Sequence, residues 1–161
     1  MTLAEAAAQA ASITDARALA DLRREVEDEL EAAARSGDFR ERALAYRAIG
    51  QLHFNQKEEL LRRGLDDESP ACRGSALLSL EALSHGHPGA VNAARPLLHR
   101  LVTEDPNQAV RRLAVLCLKN GSPTSDTITL LAHLAQETDD RELRSTVETV
   151  HRTLRQRAAA R

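Results

Sequence analysis

Turn-forming segments recur along this sequence at short, regular intervals. They are rich in Gly, Pro, Asp and Ser and lie at 36–38, 66–70, 84–89, 103–106, 120–126 and 137–140. Between them the apolar residues recur at the spacing of one face of an α-helix, and no stretch alternates as a strand does. The pattern predicts an all-α chain of eight or nine helices, at about 3–12, 15–36, 39–53, 55–66, 69–84, 89–103, 107–119, 125–137 and 140–158.

Composition supports helices and narrows the class of protein. Of the 161 residues, 42% are hydrophobic but only 2% aromatic, which favours a packed core of Ala, Leu and Val. This length predicts one domain, spanning 1–161. The formal net charge of −2 gives no general attraction to nucleic acid or to an anionic membrane. The first residues lack the basic region of a signal peptide, and no apolar run is long enough for a membrane span. We therefore expect a cytoplasmic protein.

An arginine recurs at one position of four predicted helices: Arg42, Arg73, Arg111 and Arg144. A small or apolar residue follows each of these arginines three and six positions later. An acidic residue in a turn precedes each of them: Asp38, Asp67, Asp105 and Asp139. A pattern that returns with two helices per repeat indicates an α-solenoid, in which successive helix pairs stack on one another.

Two segments carry a family resemblance. "DDESPACRGSALLSLEAL" and "DPNQAVRRLAVLCLKNG" resemble the short bacterial kind of HEAT repeat, and the resemblance extends over about residues 38–158. It implies a right-handed α-solenoid of about four HEAT-like helix pairs with an N-terminal capping helix. The corresponding segments are the cap at 1–14 and the pairs at 15–53, 55–84, 89–119 and 125–158.

In HEAT repeats an Asp and an Arg form a ladder between successive units. The resemblance implies this structural role for Asp67, Arg73, Asp105, Arg111 and Arg144. The alternative is that the arginines line a groove and bind an anion. Because an acid recurs with each arginine, the structural role is favoured.

The resemblance also places the second helix of each pair on the concave surface. Positions one, five and eight after each recurring arginine point away from the core. From these positions the predicted partner-binding residues are Arg47, Leu78, Arg112, Leu116, Lys119 and Arg152. Exposed leucines surrounded by basic side chains suit a helix or an acidic peptide. The alternative, in which both leucines are covered, is left open.

No motif in the sequence predicts catalysis or a cofactor. There is no G-x-S-x-G segment and no phosphate-binding glycine loop, and neither cysteine lies in a setting that lowers a thiol pKa. His85 and His87 lie in one turn without a further ligand at metal spacing, so a metal site there stays open. We expect no enzymatic activity, no cofactor and no metal.

These observations predict a non-catalytic scaffold or adaptor that binds a protein partner through its concave surface. The alternative is a nucleic-acid-binding protein, because one family of bacterial DNA glycosylases is built from HEAT-like repeats. The absence of Trp and the net negative charge argue against it. A chromophore-lyase relative is a third reading, without supporting residues. Acidic residues 25–31 and basic residues 152–161 are predicted to be solvated, although they also allow head-to-tail self-association.

Overall fold

The computed structural model describes residues 1–161 and is all-helical. Nine α-helices are joined by short turns: α1 (Leu3–Ala10), α2 (Ala16–Ala34), α3 (Phe39–Gln51), α4 (Glu58–Leu65), α5 (Pro70–Ser84), α6 (Gly89–Glu104), α7 (Gln108–Leu118), α8 (Ser125–Glu137) and α9 (Arg141–Ala159). A 3₁₀ turn, Asn55–Lys57, precedes α4. The predicted all-α class is confirmed, and each predicted helix is present. None of the nine helices combines the length and the apolar character that crossing a membrane requires.

The chain divides into two compact units, Met1–Leu83 and Ser84–Arg161. The first unit carries 11 Lys and Arg against 16 Asp and Glu, a formal charge of −5. The second carries 11 against 8, a formal charge of +3. The small net charge of the whole chain therefore conceals opposite charges on its two units.

Side chains in the turns fix where many helices begin. Asp15, Asp38, Asn107 and Asp140 each accept a hydrogen bond from a backbone N–H of the first turn that follows. Thr2 and Glu5 form a reciprocal capping box at the start of α1. These side chains satisfy N–H groups that have no partner within the helix, which is why the turn residues of the sequence marked the helix starts well.

In the first unit, α3 packs against α1, α2 and α4. Its buried side includes Tyr46 and Ile49, which are almost inaccessible to solvent. α3 ends at Gln51, and two residues later His53 adopts the left-handed backbone conformation with φ of 50°. The Phe54 N–H donates to the Ile49 carbonyl over 2.9 Å, which closes the helix end. Arg23 of α2 donates to the carbonyls of Leu52 and His53, so this turn is held from a second helix.

The acidic segment of α2 is only partly solvated, contrary to the prediction. Glu27 and Glu31 accept hydrogen bonds from the Lys57 ammonium over 2.6 and 2.8 Å. Glu29 accepts the Leu3 N–H over 3.2 Å. The ion pairs and the capping of α1 hold neighbouring elements against α2, whereas Asp28 is exposed.

Small residues let α3 approach α5 closely. A Cβ atom added to Gly50 would lie 2.6 Å from the Ser79 Cα, so only glycine fits there. The Ser79 hydroxyl accepts the Gly50 N–H over 2.9 Å and donates to the Tyr46 carbonyl over 2.5 Å. Gly50 occupies an outward position by helical geometry, but it is buried against α5.

In the second unit, α6 packs against α7 and α8, and α9 packs against α7 and α8. Gly121, in the turn that follows α7, has no left-handed backbone. A Cβ atom there would lie 2.7 Å from the Val91 side chain, so the glycine allows the turn before α8 to lie on α6. Asn92 exchanges two hydrogen bonds with Ser122, of 3.1 and 2.9 Å, and fixes that turn.

Candidate functional site

The recurring arginines support the turns that precede their own helices. Three of them donate to the carbonyl six residues earlier: Arg42 to Ser36, Arg73 to Asp67 and Arg144 to Thr138. Arg111 differs, because its Nε donates over 2.8 Å to the Val102 carbonyl, near the end of α6. A guanidinium group that donates to backbone carbonyls at a helix start stabilises the local chain path.

The position six residues before each arginine is itself a recurring structural element. Its side-chain oxygen accepts the backbone N–H two residues later: Ser36 from Asp38, Asp67 from Ser69, Asp105 from Asn107 and Thr138 from Asp140. The acids predicted before each arginine therefore fall into different positions. Asp67 and Asp105 occupy this element, whereas Asp38 begins α3 as its N-cap. Asp139 occupies neither position and is exposed, so its grouping with the others was wrong.

One ion pair of the ladder type lies within the first unit. Arg42 Nε and Nη2 donate to the two carboxylate oxygens of Asp67 over 2.9 and 3.0 Å. The side chains are 12% and 7% exposed. Burial opposes ionisation of Asp67, but the hydrogen bonds from Arg42 and Ser69 outweigh it and hold the carboxyl pKa below its ordinary value. The bonds to Asp67 likewise raise the Arg42 pKa.

A groove between α7 and α9 gathers part of the predicted binding surface. Its cavity of about 180 Å³ is lined by Leu116, Lys119, Ser145, Thr146, Thr149 and Val150. We refer to these six residues as the α7–α9 groove. Leu116 and Lys119 come from the predicted set, one helical turn apart on α7. Their spacing along the helix is the sequence feature that predicted a shared surface.

The other predicted binding residues lie elsewhere. Arg112 is half-buried on α7 and is not part of the groove lining. Arg152 of α9 is exposed and lines a different cavity. In the first unit, Leu78 of α5 is 41% exposed, and Arg47 of α3 is half-buried. Each unit thus contributes residues of the set, and Leu116 and Lys119 line one cavity together.

The larger cavity follows the second half of α9. It measures about 590 Å³ and is lined by Ala135, Glu148, His151, Arg152, Arg155, Gln156 and Ala159. We refer to it as the α9 cleft. Sequence reasoning missed it because the corresponding positions are apolar and buried in earlier helices, as with Tyr46 and Ile49 of α3. The polar residues Glu148 and His151, at positions that are apolar in the earlier helices, were the sequence feature that could have indicated this cleft.

The remaining candidates do not gather into a site. His85 and His87 are exposed in the turn before α6, and nowhere do three or more potential ligands lie together in a metal-binding arrangement. Cys72 and Cys117 are buried. Burial raises the pKa of the Cys72 thiol, which donates to the Phe39 carbonyl. His99 of α6 contacts the Thr127 hydroxyl of α8 over 2.8 Å and links those helices.

Comparison of the chain with family models, curated proteins and solved structures gave no match. The geometry of the α7–α9 groove and of the turns is therefore the basis on which a function is proposed.

Proposed function

We propose that this chain is a HEAT-like α-solenoid of about four helix pairs that acts as a non-catalytic adaptor. Its partner is a protein segment that binds in the α7–α9 groove. The recurrence of one turn structure, with a side-chain oxygen and an arginine six residues apart, supports a repeated unit. A right-handed stack and a cytoplasmic location belong to the same proposal.

The observation that carries this proposal is the mixed chemistry of the groove. The half-buried Leu116 supplies apolar surface, and Lys119 supplies a cation. The hydroxyls of Ser145 and Thr149 can donate or accept hydrogen bonds from a partner backbone. An apolar side chain followed by a carboxylate complements this arrangement, because the side chain fits beside Leu116 and the carboxylate reaches Lys119.

The size of the groove favours a protein partner over a small metabolite. Its cavity of about 180 Å³ is smaller than the roughly 300–1,000 Å³ typical of small-molecule sites. Such a volume suits one anchoring side chain, which is how many protein interfaces concentrate their binding energy. The neighbouring Arg112 is placed to extend the contact along α7.

The test is quantitative affinity capture from a lysate of the source organism, with the full chain as bait. The double variant Leu116→Glu/Lys119→Glu should lose the specific partner, because it introduces carboxylates where the proposal needs an apolar contact and a cation. Thr129→Glu is the matched control, since Thr129 is exposed on α8 and does not line the groove. Circular dichroism verifies that both proteins keep their helicity. Equal capture by wild type and double variant would show that the partner does not use this groove.

A further inference from the structure

We infer that the α9 cleft is a second binding site, and that it takes an acidic α-helix of a partner protein. This inference goes beyond the proposed adaptor function, since the α9 cleft and the α7–α9 groove share no residue. It starts from the use that α3 makes of the corresponding positions.

On α3, the residues four and eight positions after the recurring arginine contact the next two helices. The Tyr46 ring lies against Gly64 of α4, since a Cβ atom there would be 3.0 Å from the ring. Gly50 lies against Ser79 of α5, with a hydrogen bond of 2.9 Å. This side of α3 is therefore a surface on which a helix pair packs.

On α9, the same positions carry Glu148 and Arg152, and both are exposed. With half-buried His151 between them, they line a cleft of about 590 Å³ that runs along the helix. On α7 the residue four positions after Arg111 is the buried Val115, whereas the residue eight positions after it is the half-buried Lys119. The cleft thus lies where α3 packs against other helices, but it is lined mainly by polar and charged residues.

The charge of the cleft decides which helix fits. Arg152, Arg155 and His151 provide donors, against the single carboxylate of Glu148. Residues 149–161 contain no acid. Ala135 and Ala159 are the only apolar residues in the lining of the cleft, and the rest of its apolar surface comes from the methylene groups of longer polar side chains. Carboxylates at helical spacing would accept two-point hydrogen bonds from the guanidinium groups.

A second copy of the chain is a weaker occupant. In α2, Glu27 and Glu31 already bind Lys57, and Glu29 accepts the Leu3 N–H. In α1, the Glu5 carboxylate accepts the Thr2 N–H. Much of the acidic surface near the N-terminus is therefore engaged within the fold, so self-association becomes an outcome to be tested.

The test uses fluorescence anisotropy with the full chain and a labelled alanine-based helical peptide of about 20 residues, with glutamates spaced three or four residues apart. We expect saturable binding of this peptide, with much weaker binding of the matched peptide in which glutamine replaces glutamate. Arg152→Glu/Arg155→Glu should weaken binding by about tenfold or more, since two charge-assisted contacts are lost. Arg152→Lys/Arg155→Lys should retain part of it.

The groove variant Leu116→Glu/Lys119→Glu should bind the glutamate peptide as the wild type does, which separates this inference from the adaptor proposal. Several outcomes would overturn it: no binding up to millimolar concentration, equal binding of the two peptides, or unchanged binding by Arg152→Glu/Arg155→Glu. Tighter binding of duplex DNA than of the peptide would assign the cleft to nucleic acid instead. Sedimentation that shows dimers abolished by the arginine changes would assign it to a second copy.

Discussion

Arg42 and Asp67 form a two-point ion pair that joins α3 to the turn preceding α5. The same Asp67 carboxylate accepts the Ser69 N–H over 2.9 Å, and its carbonyl accepts a bond from Arg73. Asp67 therefore connects two recurring arginines through its side chain and its backbone. It holds the start of α5 and the second turn of α3 in one arrangement.

Asp67→Ala should lower the free energy of unfolding by about 2 kcal/mol, because charge-assisted bonds are lost and the guanidinium keeps only its carbonyl partners and the exposed Glu68 at 3.9 Å. Urea denaturation followed by circular dichroism measures the change. Glu68→Ala is the comparison, since the Glu68 carboxylate lies 3.9 Å from the same guanidinium but its side chain is 92% exposed, and its loss should cost little. Equal effects of the two changes would mean that the pair contributes nothing specific.

The Asp67 pair also predicts a pH dependence of stability. Since the folded-state pKa of Asp67 lies below its unfolded value of about 4, the pair contributes fully above that pH. Its contribution is lost as the pH falls through the folded-state pKa. Asp67→Asn should therefore flatten the decline in unfolding free energy below about pH 4. A decline as steep as that of the wild type would contradict this assignment.

Gly50→Ala should destabilise the chain by roughly 1–3 kcal/mol, because the added methyl group would overlap the Ser79 backbone and force α3 away from α5. Gly37→Ala is the control, as no atom lies within 4 Å of the added Cβ, and it should change stability by less than about 0.5 kcal/mol. Thermal unfolding of the two variants measures both effects. A neutral Gly50→Ala would show that the helices are not in close contact.

The half-buried His99 predicts a second pH dependence near neutrality. Burial lowers the His99 pKa; Asp126 raises it and Arg95 lowers it further. Below about pH 6.5 the unfolded chain therefore takes up more protons than the folded chain. The free energy of unfolding consequently decreases as the pH falls through this range. His99→Gln should remove this part of the decline, measured by urea denaturation at about pH 7.5 and 5.5. His133→Gln, exposed on α8, should leave it in place.

Lys57→Ala should destabilise the first unit by about 1 kcal/mol, since Glu27 and Glu31 lose their shared cation and repel one another across one turn of α2. The loss should shrink in high salt, where the repulsion is screened. Arg24→Ala removes an ion pair whose side chains are 72% and 58% exposed, and should have little effect. Unfolding midpoints at low and high salt distinguish these outcomes.

The helices were predictable because the apolar spacing and the capping residues are local properties of the sequence. Leu116 and Lys119 could be placed on one surface because both are counted along a single helix from Arg111. Gly50 was misplaced because its burial depends on Ser79, which is 29 residues away. The acidic segment of α2 was misread for the same reason, as Lys57 lies 26 residues beyond Glu31.

The α9 cleft shows a different limit. Arg152 has the same helical phase as Lys119, yet it lines the α9 cleft while Lys119 lines the α7–α9 groove. Helical phase gives the direction of a side chain from its own axis, but the neighbouring helix decides which cavity that direction meets. The sequence pattern gives the direction of the side chain, but it does not show which neighbouring helix lies in that direction.

The bridge from the Ser79 hydroxyl to the Gly50 N–H makes one amide of α3 a reporter of α5. Exchange of that amide hydrogen with solvent requires the bond to the Ser79 hydroxyl to break, which happens when α3 opens locally from α5. Its protection factor therefore measures the local opening of the two helices. In Ser79→Ala the same amide should exchange faster, while the amides near the start of α3 stay protected. The exchange rate of this single amide therefore measures how firmly α5 packs against α3.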